Sequence, residues 1–250
     1  MCTVSVISQS GGYRVMVNRD EADTRPAASQ PAWHTLLTGG AHAVRAMWPT
    51  DPVGGGTWIG VNEHGLLLTL LNYNLESAPG VPIVVTRTDL RSRGEIIPQL
   101  LSHTSGVQAV QALSRSDLSC YGPFRLVAVA PVSGSTDPIV IESRWNMDQL
   151  QVLEPVAPPA CFASSGLGDS LVRVRGDLFR KLLTEATDAP HATQDAFHRH
   201  QWPHATHLSV MMSRKGVRTV SVSTVTWRNG EVGFQYSPVS AEFAAQPNTA

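Results

Sequence analysis

From Thr3 to Ser8 β-branched and polar residues alternate, Gly11-Gly12 supplies a turn, and Tyr13 to Asn18 resumes with Val15 and Val17. Period-two patterning on both sides of a glycine pair predicts a β-hairpin. Its geometry returns the end of the second strand to the start of the first, which brings Asn18 and Arg19 towards Cys2. Glu21 to Gln30 is polar, carries Arg25-Pro26 and is followed by Pro31, so it reads as a loop. Trp33 to Trp48 is mixed, with a turn at Gly39-Gly40. At Gly54-Gly55-Gly56 three glycines open onto a short apolar strand, where they permit positive φ or close approach of another backbone.

Asn62-Glu63-His64-Gly65 reads as a hairpin turn, and the continuous apolar run Leu66 to Leu71 suits a strand buried on both faces. Leu90, Ile96, Ile97, Leu100 and Leu101 suggest a helix over Thr88 to Leu101, interrupted by Gly94 and Pro98, and Val107 to Leu113 suggests a second short one. Tyr121 to Val132 and Pro138 to Trp145 read as strands joined by Ser133-Gly134-Ser135-Thr136. The proline-rich Leu153 to Pro159 is a connection. Ser170 to Ala186, with Leu171, Val174, Leu178, Leu182 and Leu183, has the clearest amphipathic spacing in the chain. Strands return at Val217 to Trp227 and Glu231 to Tyr236, joined by Arg228-Asn229-Gly230. This order, with no internal repeat, suits an α+β arrangement of two packed sheets with helices outside and does not suit a doubly wound sheet. One domain over residues 1–250 is expected, with a flexible tail from about residue 238.

Composition narrows the function classes. With 250 residues, 42% hydrophobic and 16% charged, the chain reads as globular, and Lys plus Arg of 19 against Asp plus Glu of 20 gives no overall pull towards nucleic acid. No apolar run approaches the ~18 residues that span a bilayer. Cys2, Cys120 and Cys161 are odd in number and lack CxxC spacing, which argues against a disulfide framework or structural zinc and favours a reducing, cytoplasmic compartment. Cys120 and Cys161 are most simply buried small hydrophobes.

The candidate chemistry lies at the head of the chain. Removal of Met1 would leave Cys2 with both a thiol and a free α-amino group. An amino terminus titrates at about 7.7 to 8.0 and an ordinary thiol at about 8.5, so the first can take a proton from the second. A cysteine after Met1 is, alone, a chance occurrence. Two other stretches read more blandly. Gly54-Gly55-Gly56 lacks the Lys-Ser/Thr and βαβ unit of a phosphate loop. His191, His198, His200, His204 and His207 crowd together, yet no cysteine or carboxylate of metal-site spacing accompanies them. Pro190 and Pro203 suggest a loop there, with solvated or helix-end histidines that hold no metal, and metal or haem contact as the minority reading.

Met1-Cys2, Asn18-Arg19-Asp20-Glu21 with Arg25-Pro26, Gly55-Gly56-Thr57-Trp58-Ile59-Gly60, Asn72-Tyr73, Ser92-Arg93-Gly94, Gly122-Pro123-Phe124, Gly166-Leu167 and Gly216-Val217-Arg218-Thr219 occur in order over nearly the whole chain. In this the chain resembles the NRDE family, whose better-known members are called transport and Golgi organisation proteins. That family in turn looks like a branch of the N-terminal-nucleophile hydrolases, near the penicillin V acylases and bile-salt hydrolases, with a four-layer αββα sandwich of two mainly antiparallel sheets.

The resemblance implies that Cys2, after loss of Met1, attacks an acyl carbon, as in hydrolysis of a linear amide C–N bond. Arg19 matches the arginine that accompanies the nucleophile, and Asp20, with Glu21 as the alternative, the acid that orients the α-amino group. The amide of Asn72 and the backbone N–H of Tyr73 become oxyanion-hole candidates. Arg218 matches a family arginine, which implies contact with a substrate carboxylate or with the nucleophile's surroundings, and a structural ion pair is the equal alternative. Two stretches depart from the pattern. Gly166-Leu167-Gly168-Asp169 stands where Gly-Leu-Ser-Asn is usual, so an ionised Asp169 would repel an oxyanion that an asparagine would stabilise. Val172-Arg173-Val174-Arg175 replaces an expected Pro-Trp. No cofactor is required for the hydrolase reading, whose partner is a small acyl or amide substrate. The alternative is a non-catalytic carrier of haem or an acyl lipid in the same cleft, as family members are linked to haem and lipid trafficking. Relatives of this fold often form oligomers, so a homo-oligomer is also expected.

Overall fold

Strands β1 (Cys2–Gln9) and β2 (Gly12–Ala22) pair antiparallel in the computed structural model, with Cys2 opposite Arg19, Thr3 opposite Asn18 and Gln9 opposite Gly12. The structure describes residues 2–37, 43–186 and 188–240, so Met1 and the turn expected at Gly39-Gly40 lie outside it. The chain continues through β3 (Ala32–Leu37), β4 (Ala43–Trp48), β5 (Ile59–Asn62), β6 (Leu67–Asn72), β7 (Glu76–Ala78) and β8 (Val81–Pro82) to helices α1 (Ile96–Leu100) and α2 (Gly106–Arg115). Then come β9 (Phe124–Ala130), β10 (Ile139–Trp145), β11 (Leu150–Val152), β12 (Ala160–Ala163), α3 (Arg173–Glu185), α4 (Pro190–Arg199), β13 (Ser213–Arg214), β14 (Val217–Arg228) and β15 (Glu231–Pro238).

One sheet has the order β12-β1-β2-β14-β13, with β15 also on β14, and the other runs β11-β10-β9-β6-β5-β4-β3. Their pairings are antiparallel. Between the sheets Val4, Val15 and Val17 meet Ile59, Leu67 and Val127. On the outer face of the second sheet Leu68 and Leu126 pack with Ile97 and Leu113 of α1 and α2, and on the outer face of the first Ile7 packs with Phe179 and Phe197 of α3 and α4. The result is four layers in the order αββα. Strand β6 explains the apolar run at Leu66 to Leu71, broken only by the buried Thr69, whose hydroxyl donates to the Trp58 carbonyl at 3.0 Å. Alternate side chains enter the inter-sheet core and the helix-facing core, so neither face meets water.

Several local expectations change. The helix expected over Thr88 to Leu101 is confined to Ile96–Leu100 behind a 3₁₀ turn at Arg93–Glu95. Gly94 is instead a packing joint: the Thr57 N–H donates to its carbonyl at 3.1 Å, and a Cβ on Gly56 would lie 2.4 Å from its carbonyl carbon. The triple-glycine stretch thus seats one loop against another. Over Ser170 to Ala186 the expected helix begins only at Arg173, behind a 3₁₀ turn at Asp169–Val172, and its apolar stripe is only partly right, since Leu171 of that turn and Val174 are exposed while Arg175 and Phe179 are fully buried. Residues 190–199 form α4, where the structure corrects the expected loop; Pro190 stands at a helix start, where its missing N–H costs nothing. At the other end Pro238 still belongs to β15 and the Val239 N–H donates to the Val220 carbonyl at 2.9 Å, while residues 241–250 of the expected tail lie outside the described residues.

Side-chain alternation along β2 gives each residue of Asn18-Arg19-Asp20 its own direction. Arg19 shares its face with Cys2, whereas Asn18 and Asp20 reach the helices. The Asn18 amide donates to the carbonyls of His198 and Val210 at 2.9 and 2.8 Å, which fixes its Oδ1 as the acceptor for His198 Nδ1 at 2.7 Å. His198 is therefore the neutral Nδ1–H tautomer, and its Nε2 accepts from the Ser5 hydroxyl at 2.6 Å. Burial, with the nearby Arg14 charge, pushes its pKa down to about 3. Arg14 is itself held by Asp195 and Gln194 of α4.

A depressed histidine pKa means that the unfolded chain binds the proton more readily. Stability from this group is complete above about pH 6.5 and lost as pH falls towards 3, at about 1.4 kcal/mol per pH unit. Urea unfolding at pH 7 and pH 5 should show the native protein losing about 2 kcal/mol more than a His198→Gln protein. Buried aspartates such as Asp20 are common to both proteins and drop out of this difference. Equal losses would refute the neutral buried histidine.

Candidate active site

Cys2 opens β1 and is held by a two-way bond with the end of β12: its N–H donates to Ser164 Oγ at 3.2 Å, and the Ser164 N–H donates to its carbonyl at 3.0 Å. The residue is 5% exposed and lines a cavity of about 240 Å³ with Arg19, Asp20, Trp58, Asn72 and Arg93. Burial raises its thiol pKa, Asp20 adds to the rise, and Arg19 and the Asp20 backbone N–H oppose it. The net shift favours the neutral thiol, so a nucleophilic thiolate here needs a base beside it.

Arg19, on the face it shares with Cys2, lies over the Trp58 ring at 4.3 Å and pairs with Asp51. Its Nη1 and the Trp58 Nε1 are buried without a hydrogen-bond partner among the described residues. Asp51 is the hub of this wall. Its Oδ2 also accepts from Arg25 Nε and Nη2 at 3.1 and 3.0 Å, while Oδ1 accepts from the N–H groups of Val53 and Gly54 at 2.8 and 3.0 Å. Burial works to raise its pKa, but the Gly54 and Val53 N–H groups, Arg25 and Arg19 outweigh it and keep the carboxyl below its ordinary range.

Asp20 sits behind Cys2. Its Oδ1 accepts from the Thr219 hydroxyl at 2.7 Å, and its Oδ2 lies 3.6 Å from Arg175 Nη1. Burial raises its pKa against the pull of Arg175. Arg175 reaches this place from α3, donating to Thr3 Oγ1 at 2.6 Å and to the Leu208 carbonyl at 2.9 Å.

Cys2, Arg19, Asp20 and Asn72 are thus brought to one cavity, together with Glu21, the alternative to Asp20, whose Oε2 lies 3.6 Å from Arg19 Nη2; Tyr73, Asp169 and Arg218 do not line it. Tyr73, one residue past β6, directs its N–H to the Pro123 carbonyl at 3.5 Å and lines two neighbouring cavities of about 340 and 700 Å³. Asp169 lines the larger of these, where its oxygens accept from the Asn74 side chain at 2.7 Å and the Ser165 N–H at 2.9 Å. It is therefore turned towards Asn74 and Ser165 and away from the Cys2 cavity. Arg218 donates to the carbonyls of Thr219 and Val239 at 3.1 and 2.7 Å, so its guanidinium ties the residue after β15 to β14. In the histidine-rich stretch both ring nitrogens of His198 are engaged, which removes it from the residues available to a metal or haem. Among the described residues no group of three or more His, Cys, Asp or Glu side chains could hold a metal ion.

Sequence reasoning missed Asp51, Arg93 and Arg175. Asp51 did carry a signal, since Asp-Pro-Val-Gly is a turn in which the Asp side chain accepts backbone N–H groups further on. Arg93 was part of a quoted motif but had no assigned role. Arg175 had no signal beyond the departure from Pro-Trp.

The sequence profile of the family described as Transport and Golgi organisation 2 matches residues 1–224. No curated protein matches the chain. Among the solved structures that match are the following two. The N-acylethanolamine-hydrolyzing acid amidase orthologue of Caenorhabditis elegans has a TM-score of 0.56 at 13% identity, covering 99% of this chain and 98% of its own. A variant of the conjugated bile acid hydrolase of Clostridium perfringens has a TM-score of 0.51 at 12% identity, covering 94% of this chain and 92% of its own. The architecture is that of the N-terminal-nucleophile hydrolases, and no helix among the described residues is long and apolar enough to cross a membrane.

Proposed function

We propose that this chain, which belongs to the Transport and Golgi organisation 2 family, is a cysteine hydrolase that cleaves a linear amide or related acyl bond through a thioester on Cys2. The observation that carries the reading is the meeting of Cys2, Arg19, Asp20 and Asn72 at one cavity, at the head of a strand where loss of Met1 would expose an α-amino group.

The chemistry follows from the groups at hand. The α-amino group takes the Sγ proton, and Sγ forms a bond to the acyl carbon as the C=O π pair moves to oxygen. The Asn72 amide donates to that oxyanion, and Arg19, with its unpartnered Nη1, supplies a fixed positive charge beside it. Collapse breaks the C–N bond, and the α-ammonium gives its proton to the leaving amine. Water, deprotonated by the same α-amino group, then attacks the thioester and releases the acid and the thiol. Asp20, behind Cys2, is placed to orient the α-ammonium. The Tyr73 N–H has a carbonyl partner in this structure, which leaves Asn72 as the stronger oxyanion candidate. A cavity of about 240 Å³ admits the reacting end of a substrate, with the remainder in the adjoining cavity that shares Asn72 and Arg93. An acyl amide also fits the names of the amidase orthologue and the conjugated bile acid hydrolase described above.

Intact-mass spectrometry of active protein should show Met1 removed, and an acyl-type electrophile should add its mass at Cys2. Hydrolytic activity with Met1 retained would overturn the mechanism.

A further inference from the structure

Arginine is abundant around Cys2, and its partners can be accounted for. Arg19 and Arg25 share Asp51, and Arg91 pairs with Glu95. Arg93 differs. Its Nη1 donates to the Pro123 carbonyl at 2.7 Å, and among the described residues no carboxylate lies within ion-pair distance of it. The residue is half-buried, burial lowers its pKa, and the negative forms of Cys2 and Glu21 are the groups that act to hold its proton. A guanidinium withdrawn from water without a counter-charge is costly unless an anion completes it.

Its position is also fixed and shared. Arg93 lines both the Cys2 cavity and the adjoining cavity of about 340 Å³. The close seating of Gly94 on Gly56 prevents the loop from drawing it away. Beyond Arg93 the second cavity has an apolar wall of Leu75, Ile83, Val85 and Leu90, with Ile83 51% exposed. A fixed cation beside the nucleophile, opening onto an apolar wall, matches a molecule with a negative group close to its scissile bond and an apolar remainder.

We infer that Arg93 is a specificity-determining residue that binds a substrate carboxylate, and that the substrate class is an N-acyl amino acid, its carboxylate one carbon from the amide nitrogen. This rests on the hydrolase reading above and deepens it. Arg93 meets the carboxylate, Cys2 the acyl carbon, and the apolar wall the acyl chain.

The test compares N-decanoylglycine with N-decanoylethanolamine, which keeps the amide and chain but lacks the charge. A charge-assisted hydrogen bond is worth about 1.5 to 3 kcal/mol, so Arg93→Gln should lower the ratio of kcat/KM for the two substrates by roughly 10- to 100-fold, with Arg93→Lys recovering part of it. Equal losses on both substrates, or a native protein with no preference for the glycine conjugate, would overturn the assignment. Titration of N-decanoylglycine into Cys2→Ala protein separates the two readings. Binding that Arg93→Gln weakens 10-fold or more supports the carboxylate site even if neither amide is hydrolysed, in which case only the hydrolase reading falls. Absence of binding, or binding indifferent to Arg93, overturns the site itself.

Discussion

Replacing Cys2 with alanine is expected to reduce acyl-amide hydrolysis by roughly four to six orders of magnitude, the scale on which removal of a nucleophile acts in hydrolases of this kind. The loss should appear in kcat, because the thiol forms its bond in the reaction and contributes little to holding the substrate. The same protein should no longer take up an acyl-type electrophile, although Cys120 and Cys161 remain. Cys161 is poorly suited to replace Cys2, since burial pushes its thiol up to about 12 and, within a strand, it has no α-amino group of its own to take the proton. Folding should be nearly unaffected, because the backbone bonds that tie residue 2 to Ser164 do not use its side chain. Activity within 10-fold of native in the Cys2→Ala protein would move the chemistry elsewhere.

Parts of this site were legible in the sequence because they depend on local periodicity. The glycines at 11 and 12 set the hairpin, and a strand period of two then places Arg19 opposite Cys2 without knowledge of the rest of the fold. The Asn62 to Gly65 turn was equally readable, as Asn62 Oδ1 accepts from the N–H groups of His64 and Leu66, both at 3.0 Å. What periodicity could not reveal was partnership over long sequence separations. Asp51 is 32 residues from Arg19, and Arg175 is 172 from Thr3. An arginine inside an amphipathic helix looks like its solvated side until a buried aspartate is found opposite. The role of Asn18 was hidden in the same way, because its partner His198 lies 180 residues on, in a stretch whose prolines suggested a loop. Gly56 and Gly94 were visible as glycines, but only the contact between them explains why Gly56 has no room for a side chain and why one on Gly94 would press on its neighbour.

The second large effect is expected at Asp51, where stability and the site meet. The Arg19 side chain is 7% exposed and that of Asp51 8%, so Asp51→Ala leaves a buried guanidinium with only Glu21, 33% exposed and 3.6 Å away, as counter-charge. Breaking one side of a buried ion pair typically costs about 3 to 5 kcal/mol, because the remaining charge is neither solvated nor compensated. The Val53 and Gly54 N–H groups also lose their acceptor, which loosens the loop whose glycines seat Gly94 and Arg93. Asp51→Asn separates the two effects, since its amide oxygen can still accept from those N–H groups while the negative charge is gone. Denaturant midpoints should therefore rank native above Asp51→Asn, and Asp51→Asn above Asp51→Ala. If the cost is that of an abandoned charge, Arg19→Met in the Asp51→Ala background should recover part of the loss. A drop below about 1 kcal/mol in Asp51→Ala would mean that water or Glu21 compensates Arg19 and that the pair with Asp51 is worth no more than a surface salt bridge. The pH dependence has a definite sign. The Asp51 carboxyl is held below its ordinary range in the fold, so its contribution is present above the unfolded value of about 3.9 and disappears as pH falls through the lower folded value. The acid limb of the native stability curve should therefore be shallower in Asp51→Ala.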